Sequence, residues 1–402
     1  VVTRHTYIPT HDAADFNRIA TSLAHGHGFG RTAIPGVKGP SAFRTPALPF
    51  VMAAVYWVVG IKVTAARIAL AVLSTVVVVL IGAIADRLLG RRAGLIALAV
   101  AAVYPPLLLA SYGLNYETVM GVAVLATLLC VLVWRDHPTS WWWLAATGIC
   151  AGAAILCREN AGLVLVPVVI LIVQTLRRSN PNPVAGRAVL ARIVTVIVIA
   201  AVVVVPWTIR NATQLHEFIP VSDSPGIALA GTYNSLSPNY DAAWIPFGGP
   251  PDAHILATAI AHHDNEAQVS SHYQSAAVSY ADHHPLYIVK AAFYNTLRLF
   301  DLRGPNDSNW LAPLIGWPVA FVELAVVSFY ILGAFALFGV ATRRVRGIPW
   351  ALWTFPALWA LSIILSTSIM QYRYIIEPFV VLLAAATLDA LLKKPAAART
   401  SP

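Results

Sequence analysis

The chain has 402 residues, of which 58% are hydrophobic and only 11% charged, and its mean hydropathy is +0.69. A soluble domain carries about 25% charged residues, so this composition excludes a globular protein with a polar skin and points to a chain built for a bilayer. The net charge of +9 does not indicate nucleic acid, because the basic residues form no patch with interleaved aromatics. They gather as Arg87/Arg91/Arg92, Arg177/Arg178/Arg187/Arg192, Arg343/Arg344/Arg346 and Lys393/Lys394/Arg399, each at the end of an apolar block, as the positive-inside bias arranges them.

In chain order, residues 1–45 are polar, rich in Gly, His and Pro, and begin at Val1 without a signal peptide. Residues 46–60 are apolar but too short, at about 1.5 Å per residue, to cross ~30 Å of hydrocarbon, and are predicted to form an interfacial or re-entrant helix. Apolar stretches follow at 67–89, 93–111, 117–134, 141–157, 160–176, 189–209, 313–341, 350–370 and 374–392, each near the ~20 residues of a spanning helix. Between them, 210–312 is long, polar and His-rich. It reads as a partly helical loop with amphipathic pieces on the membrane surface, 262–282 being its clearest helix. Residues 393–402 read as a disordered tail. The chain therefore divides into a first loop (1–66), a membrane block (67–209), a large loop (210–312), a second membrane block (313–392) and the tail. Cys130, Cys150 and Cys157 lie in or beside apolar blocks without metal-ligand spacing and read as small packed side chains.

The predicted fold class is an all-α polytopic membrane protein with about nine spans. Only the orientation with 1–66 outside leaves every basic cluster inside. That orientation makes the C-terminus cytoplasmic, places 210–312 outside, and implies one more helix upstream of Val1. Ionisable groups on the outer face, costly so near the bilayer, are the functional candidates. The first set is His11, Asp12 and Asp15, the two carboxylates three residues apart on one helical face and able to supply a general base; Asp15 also reads as a helix cap. Arg44, before the apolar stretch 46–60, suits a lipid phosphate or anchors a helix at the headgroups. The turns carry Tyr112, Asn115, Tyr116 and Glu117, then Arg158, Glu159 and Asn160. Glu117 is a lone acid that needs a partner, whereas Arg158 and Glu159 also read as a local pair. Finally Tyr372, Arg373 and Glu377 place an arginine outside, against the charge bias, with an acid at i+4 to orient it or to close a tight turn. The loop histidines (His216, His254, His262, His263, His272, His283, His284) show no metal-ligand spacing, and no metal is assigned.

At these residues the sequence resembles the GT-C superfamily of membrane glycosyltransferases, and most closely its bacterial branch related to family 39 and the dolichyl-phosphate-mannose-protein mannosyltransferases. The resemblance is carried by Asp12-x-x-x-Phe16 and the following run through His25, Gly26, His27, Gly28 and Phe29. It continues in Arg44-Thr45-Pro46, Arg67, Glu117, Arg158, the stretch from Val205 to Asn211 that includes Pro206, Trp207 and Arg210, and Tyr372-Arg373-Tyr374-Ile375. It implies a GT-C-type helical bundle that takes a sugar from a polyprenyl-phosphate carrier on the outer face and passes it to a glycan, lipid or protein acceptor. Asp12 is then the base, with Asp15 and Glu117 as further catalytic candidates. Arg373, Arg44, Arg158 and Arg210 are the implied donor-phosphate ligands, and His11, Asn115, Tyr112, Tyr372 and Glu377 the implied substrate contacts. Trp244, Trp310 and the tyrosines of 210–312 would shape the acceptor site. One base with direct displacement implies inversion. No cofactor is assigned, and a divalent metal stays open. The family usually has Tyr at the position of Phe16, and no soluble C-terminal domain of the kind some relatives carry is expected within these 402 residues. Two other classes remain, a transporter or lipid flippase and a non-catalytic envelope-assembly subunit; neither internal repeats nor mid-span breaks favour the transporter.

Overall fold

The computed structural model describes residues 7–110, 113–179, 184–304, 312, 318–341 and 345–392. Hydrocarbon offers no water to satisfy the backbone, so an apolar block must close its own hydrogen bonds as a helix. Helices duly account for nearly all of the regular structure, and the described residues contain no sheet beyond one bridge between Arg31 and Pro40. In chain order they are α1 (His11–Ala24), α2 (Ala47–Val59), α3 (Val63–Leu89), α4 (Arg91–Val103), α5 (Pro105–Ala110), α6 (Glu117–Asp136) and α7 (Trp141–Cys157). Then follow α8 (Leu165–Ser179), α9 (Val184–Leu215), α10 (Ser224–Thr232), α11 (Ala253–Ala261), α12 (Glu266–His283), α13 (Pro285–Leu299), α14 (Val319–Ala341), α15 (Ala351–Ile364) and α16 (Glu377–Leu391).

Five helical stretches among the described residues are long and apolar enough to span: Val63–Leu89, Glu117–Asp136, Glu159–Arg178, Gly186–Leu215 and Val319–Ala341. This differs from the nine expected stretches for local reasons. The stretch 93–111 breaks at Tyr104, whose extended backbone is what the residue before a proline adopts, and Pro105 opens α5. The stretch 141–157 is the 17-residue α7, shorter than the other spanning helices, whereas 160–176 still counts as a span although it begins as a 3-10 turn, Glu159–Val164. The stretches 350–370 and 374–392 are shortened by the 3-10 turn Met370–Ile375, after which Pro378 sits in the first turn of α16, where a proline's missing N–H costs nothing. The helix expected at 262–282 is present as α12, started by a capping box between Asn265 and Gln268. The tail 393–402 lies outside the described residues.

Helices meeting in lipid gain from close backbone approach, which small residues permit. Gly148 and Gly152 of α7 face α9 so tightly that an added Cβ would stand 2.9 Å from the Val196 carbonyl and 2.8 Å from the Ala200 carbonyl. Gly94 of α4 likewise sits on the backbone of Asp86 in α3. By contrast α9 has little other protein cover: only 11% of its apolar window is buried. Among the described residues, Arg87 pairs with Asp136 and Arg92 with Asp389 at 3.3 Å, all at one end of the bundle. The ends of α3, α6, α7 and α9 opposite to these carry α1, α2 and α10–α13.

Candidate active site

Helix α1 begins at His11, exposed and at φ +50°. One turn of helix then brings Asp12 and Asp15 to one face, as the spacing predicts, and what they meet is Arg44. Its Nη2 donates to Asp12 Oδ1 at 2.6 Å and to Asp15 Oδ2 at 3.0 Å, and its Nε to the same Asp15 oxygen at 3.3 Å. Asp15 is not the helix cap it could have been, since Thr10 holds that place and Asp15 lies inside α1. The Asp12 side chain is 57% exposed against 23% for Asp15, and among the described residues its Oδ2 receives no donor. Asp15 is further engaged by Arg18 at 3.7 Å. Burial of the Arg44 guanidinium works to lower its pKa, but Asp12 and Asp15 outweigh it and the pKa stands above its ordinary value. Phe16 and Phe43 flank the guanidinium at 5.5 and 4.8 Å. Phe16 also packs edge-on against Tyr116.

The next residue, Thr45, donates to the Cys157 carbonyl at 2.8 Å, which ties this corner to the end of α7. There the backbone of Arg158 is extended and its side chain turns into a cage of aromatic rings: Tyr372 at 4.3 Å, Tyr116 at 5.5 Å and Trp359 at 5.8 Å. The Arg158 guanidinium donates to the Tyr116 hydroxyl. No carboxylate among the described residues lies within ion-pair distance of it, so the expected local pair with Glu159 does not form. Trp359 Nε1 donates to the Tyr372 carbonyl at 2.9 Å and so fixes that wall of the cage. Burial pushes the phenols of Tyr116 and Tyr372 up; Arg158 opposes this and the charge of Asp12 adds to it. Asp12, Arg44, Arg158, Tyr116 and Tyr372 therefore share one electrostatic environment.

The other arginines named from the sequence are occupied. Arg210 donates to the Ser41 carbonyl at 2.7 Å and stacks on Trp207. Arg373, 1% exposed, pairs with Glu377 at 2.6 Å, donates to the Leu299 carbonyl at 3.2 Å and lies against Phe329; Tyr104 donates to the other Glu377 oxygen at 2.6 Å. The i,i+4 spacing of Arg373 and Glu377 thus makes a sealed pair. Glu117 is buried, accepts from Gln371 Nε2 at 3.0 Å and leaves Oε2 without a partner. It borders, with Asn115, Gln371 and Arg373, a cavity of about 40 Å³, much smaller than ligand pockets of roughly 300 Å³ and more. Tyr112 and Trp310 lie outside the described residues. A divalent ion fits this donor set poorly: among the described residues no three His, Cys, Asp or Glu groups converge, and the cation bridging Asp12 and Asp15 is a guanidinium. Trp359, Glu266 and Asp223 were not singled out by sequence reasoning; nothing in a linear pattern marks a tryptophan inside an apolar helix, or an acid among loop acids, as a neighbour of this corner.

The fold is that of a polytopic helical membrane protein, a helical bundle of the GT-C type. Residues 43–209, under half of the chain, match the family model described as dolichyl-phosphate-mannose-protein mannosyltransferase. The archaeal oligosaccharyltransferase AglB from Archaeoglobus fulgidus, in complex with an inhibitory peptide and a dolichol-phosphate, superposes with a TM-score of 0.53 at 12% identity, over 94% of this chain and 46% of that one. ArnT from Cupriavidus metallidurans bound to undecaprenyl phosphate superposes more loosely, with a TM-score of 0.44 at 16% identity over 95% of this chain and 74% of its own. No curated protein matches. The likeness to AglB is one of fold, and the fold observed is the one the sequence resemblance implies.

Proposed function

We propose that the chain is a membrane glycosyltransferase that takes a sugar from a polyprenyl-phosphate carrier on the outer face and transfers it to a hydroxyl of a glycan, lipid or protein. The observation that carries this reading is the pairing, within one corner, of an exposed carboxylate held by an arginine with a second arginine that forms no ion pair among the described residues. The family match over residues 43–209 and a fold shared with a protein solved with a dolichol-phosphate and a peptide support the same class. In this reading Arg44 holds Asp12 through Oδ1 and leaves Oδ2 to take the acceptor's proton. The acceptor oxygen bonds to the anomeric carbon as the bond from that carbon to the phosphate oxygen breaks, which inverts the centre. Negative charge then grows on the departing lipid phosphate. Arg158, still rich in unused N–H donors and desolvated by its rings, is placed to meet that charge. Arg373 and Arg210 act structurally, and Tyr116 and Tyr372 form the wall against which the sugar lies. The orientation with α1, α2 and α10–α13 outside follows from the basic residues at the opposite end.

The test places the protein in vesicles with radiolabelled polyprenyl-phosphate sugars and follows loss of label from the carrier. Asp12→Asn is expected to lower transfer at least a hundredfold, the scale of a lost general base. Asp15→Asn is expected to stay within about tenfold, since Arg44 retains Asp12. Transfer that survives Asp12→Asn moves the base to Asp15 or Glu117. No transfer from any carrier returns the transporter and assembly readings.

A further inference from the structure

The three residues before Arg44, Ser41, Ala42 and Phe43, have no regular structure of their own, yet none of their backbone groups lacks a partner. The Ser41 N–H donates to the Gly30 carbonyl, and the Ser41 carbonyl accepts from Arg210. The Ala42 carbonyl accepts from the Asp223 N–H at 3.2 Å, and the Phe43 carbonyl from Ser222 Oγ at 3.1 Å. The remaining donors converge on one carboxylate. Glu266 Oε1 accepts from the Ala42 N–H at 2.7 Å, the Phe43 N–H at 2.9 Å and Ser41 Oγ at 2.9 Å, and Oε2 accepts from the same hydroxyl at 3.1 Å.

Glu266 is fully buried. A buried carboxylate is tolerated only where hydrogen bonds replace its lost hydration, and here those bonds come chiefly from residues 41–43. Glu266 also opens α12 behind its capping box, where the free N–H groups of the first turn favour negative charge. The carboxylate is thereby anchored to the outer helices on one side and to the strand of backbone ending in Arg44 on the other. Phe43, held through both its N–H and its carbonyl, is the ring that lies under the Arg44 guanidinium.

We infer that Glu266 is a positioning residue: by holding residues 41–43 it sets Arg44 against Asp12 and Asp15, and so keeps the proton-accepting oxygen of Asp12 in place. Its effect on turnover rests on the glycosyl-transfer reading; its effect on Arg44 does not. Glu266 never meets the substrate, so its loss lowers kcat and leaves the KM for the lipid donor, set at Arg158, little changed.

The experiment uses the whole chain in vesicles with two readouts. The first is the rate at which phenylglyoxal modifies Arg44, measured by mass spectrometry, with Arg135 as a control far from the site. Glu266→Gln, of equal size, is expected to speed modification of Arg44 severalfold with Arg135 unchanged, and Glu266→Asp to restore part of the protection. The second is transfer of radiolabelled sugar. Glu266→Gln is expected to lower kcat ten- to a hundredfold with KM within threefold, and to add little in an Arg44→Ala background, because both changes remove the same geometry. Arg44 modified at the wild-type rate, or a kcat loss that multiplies with Arg44→Ala, overturns the inference. Faster modification in a protein that transfers no sugar upholds the positioning role and overturns the glycosyltransferase reading instead.

Discussion

Arg158 and Arg373 make opposite predictions although both are desolvated arginines on the same side of the bundle. Replacing Arg158 by Gln removes a cation that touches Tyr372, Tyr116 and Trp359 and forms no ion pair among the described residues. Cation–ring contacts of a desolvated arginine are worth about 2 kcal/mol, and relief of the buried charge offsets part of that, so stability falls by about 1–2 kcal/mol, less than the loss expected at Arg373. If Arg158 meets the leaving phosphate, removing one such preorganised group costs about 3–4 kcal/mol of the barrier, or roughly a hundred- to a thousandfold in kcat. Replacing Arg373 by Gln strands Glu377, which is 1% exposed and keeps only the Tyr104 hydroxyl as a strong donor. Breaking a buried pair costs about 3–5 kcal/mol, and the loss appears as instability. The assay is thermal unfolding in detergent beside label transfer in vesicles. A stable Arg158→Gln protein with kcat within threefold of wild type, together with a stable but inactive Arg373→Gln, would refute the assignment of the phosphate to Arg158.

Two further outcomes follow from packing and charge. Asp223 is buried, both its carboxylate oxygens lack donors among the described residues, and its pKa is raised well above the usual range by burial first and by Glu266 second, with Glu159 adding to it. For a raised acid, the stability contribution is complete below the unfolded value of about 3.9 and is lost as pH rises through the folded value. Thermal melts from pH 4 to 9 should therefore fall more steeply for wild type than for Asp223→Asn, and parallel curves would count against the buried proton. In the α7–α9 seam, Gly152→Val puts a Cβ 2.8 Å from the Ala200 carbonyl; overpacking of this kind costs about 1–3 kcal/mol, to be read as a lowered unfolding temperature, whereas Gly186→Ala, with nothing within 4 Å of its added Cβ, is expected to be neutral.

The helical bundle was legible because lipid imposes one rule on every apolar block, and the carboxylate pair of α1 was legible because helical spacing fixes which residues share a face. What the chain order concealed was partnership across distance. Arg44 reads equally well as a headgroup anchor and as a phosphate ligand until Asp12 and Asp15 are seen beside it. Arg373 looks like an outward cation in sequence, but Tyr104, from a break between α4 and α5, and the Leu299 carbonyl close over it. Hydropathy also overstates helix length at Tyr104 and near Met370, where local backbone preferences interrupt an apolar run without making it less apolar.

The sparse cover of α9 has a practical side. Among the described residues its main helical neighbours are α7 and α8, and most of its apolar surface is left uncovered by them, as a lipid-facing helix would be. Solubilisation replaces that surroundings almost completely, while the interior of the bundle barely registers the change. Because Arg210 near the end of α9 grips Ser41, a surfactant short enough to wedge into the glycine seam would slacken the corner around Asp12 long before any helix melted. Preparations that look intact by circular dichroism can for this reason be inert, and native lipid carried through purification should matter more for turnover than for yield.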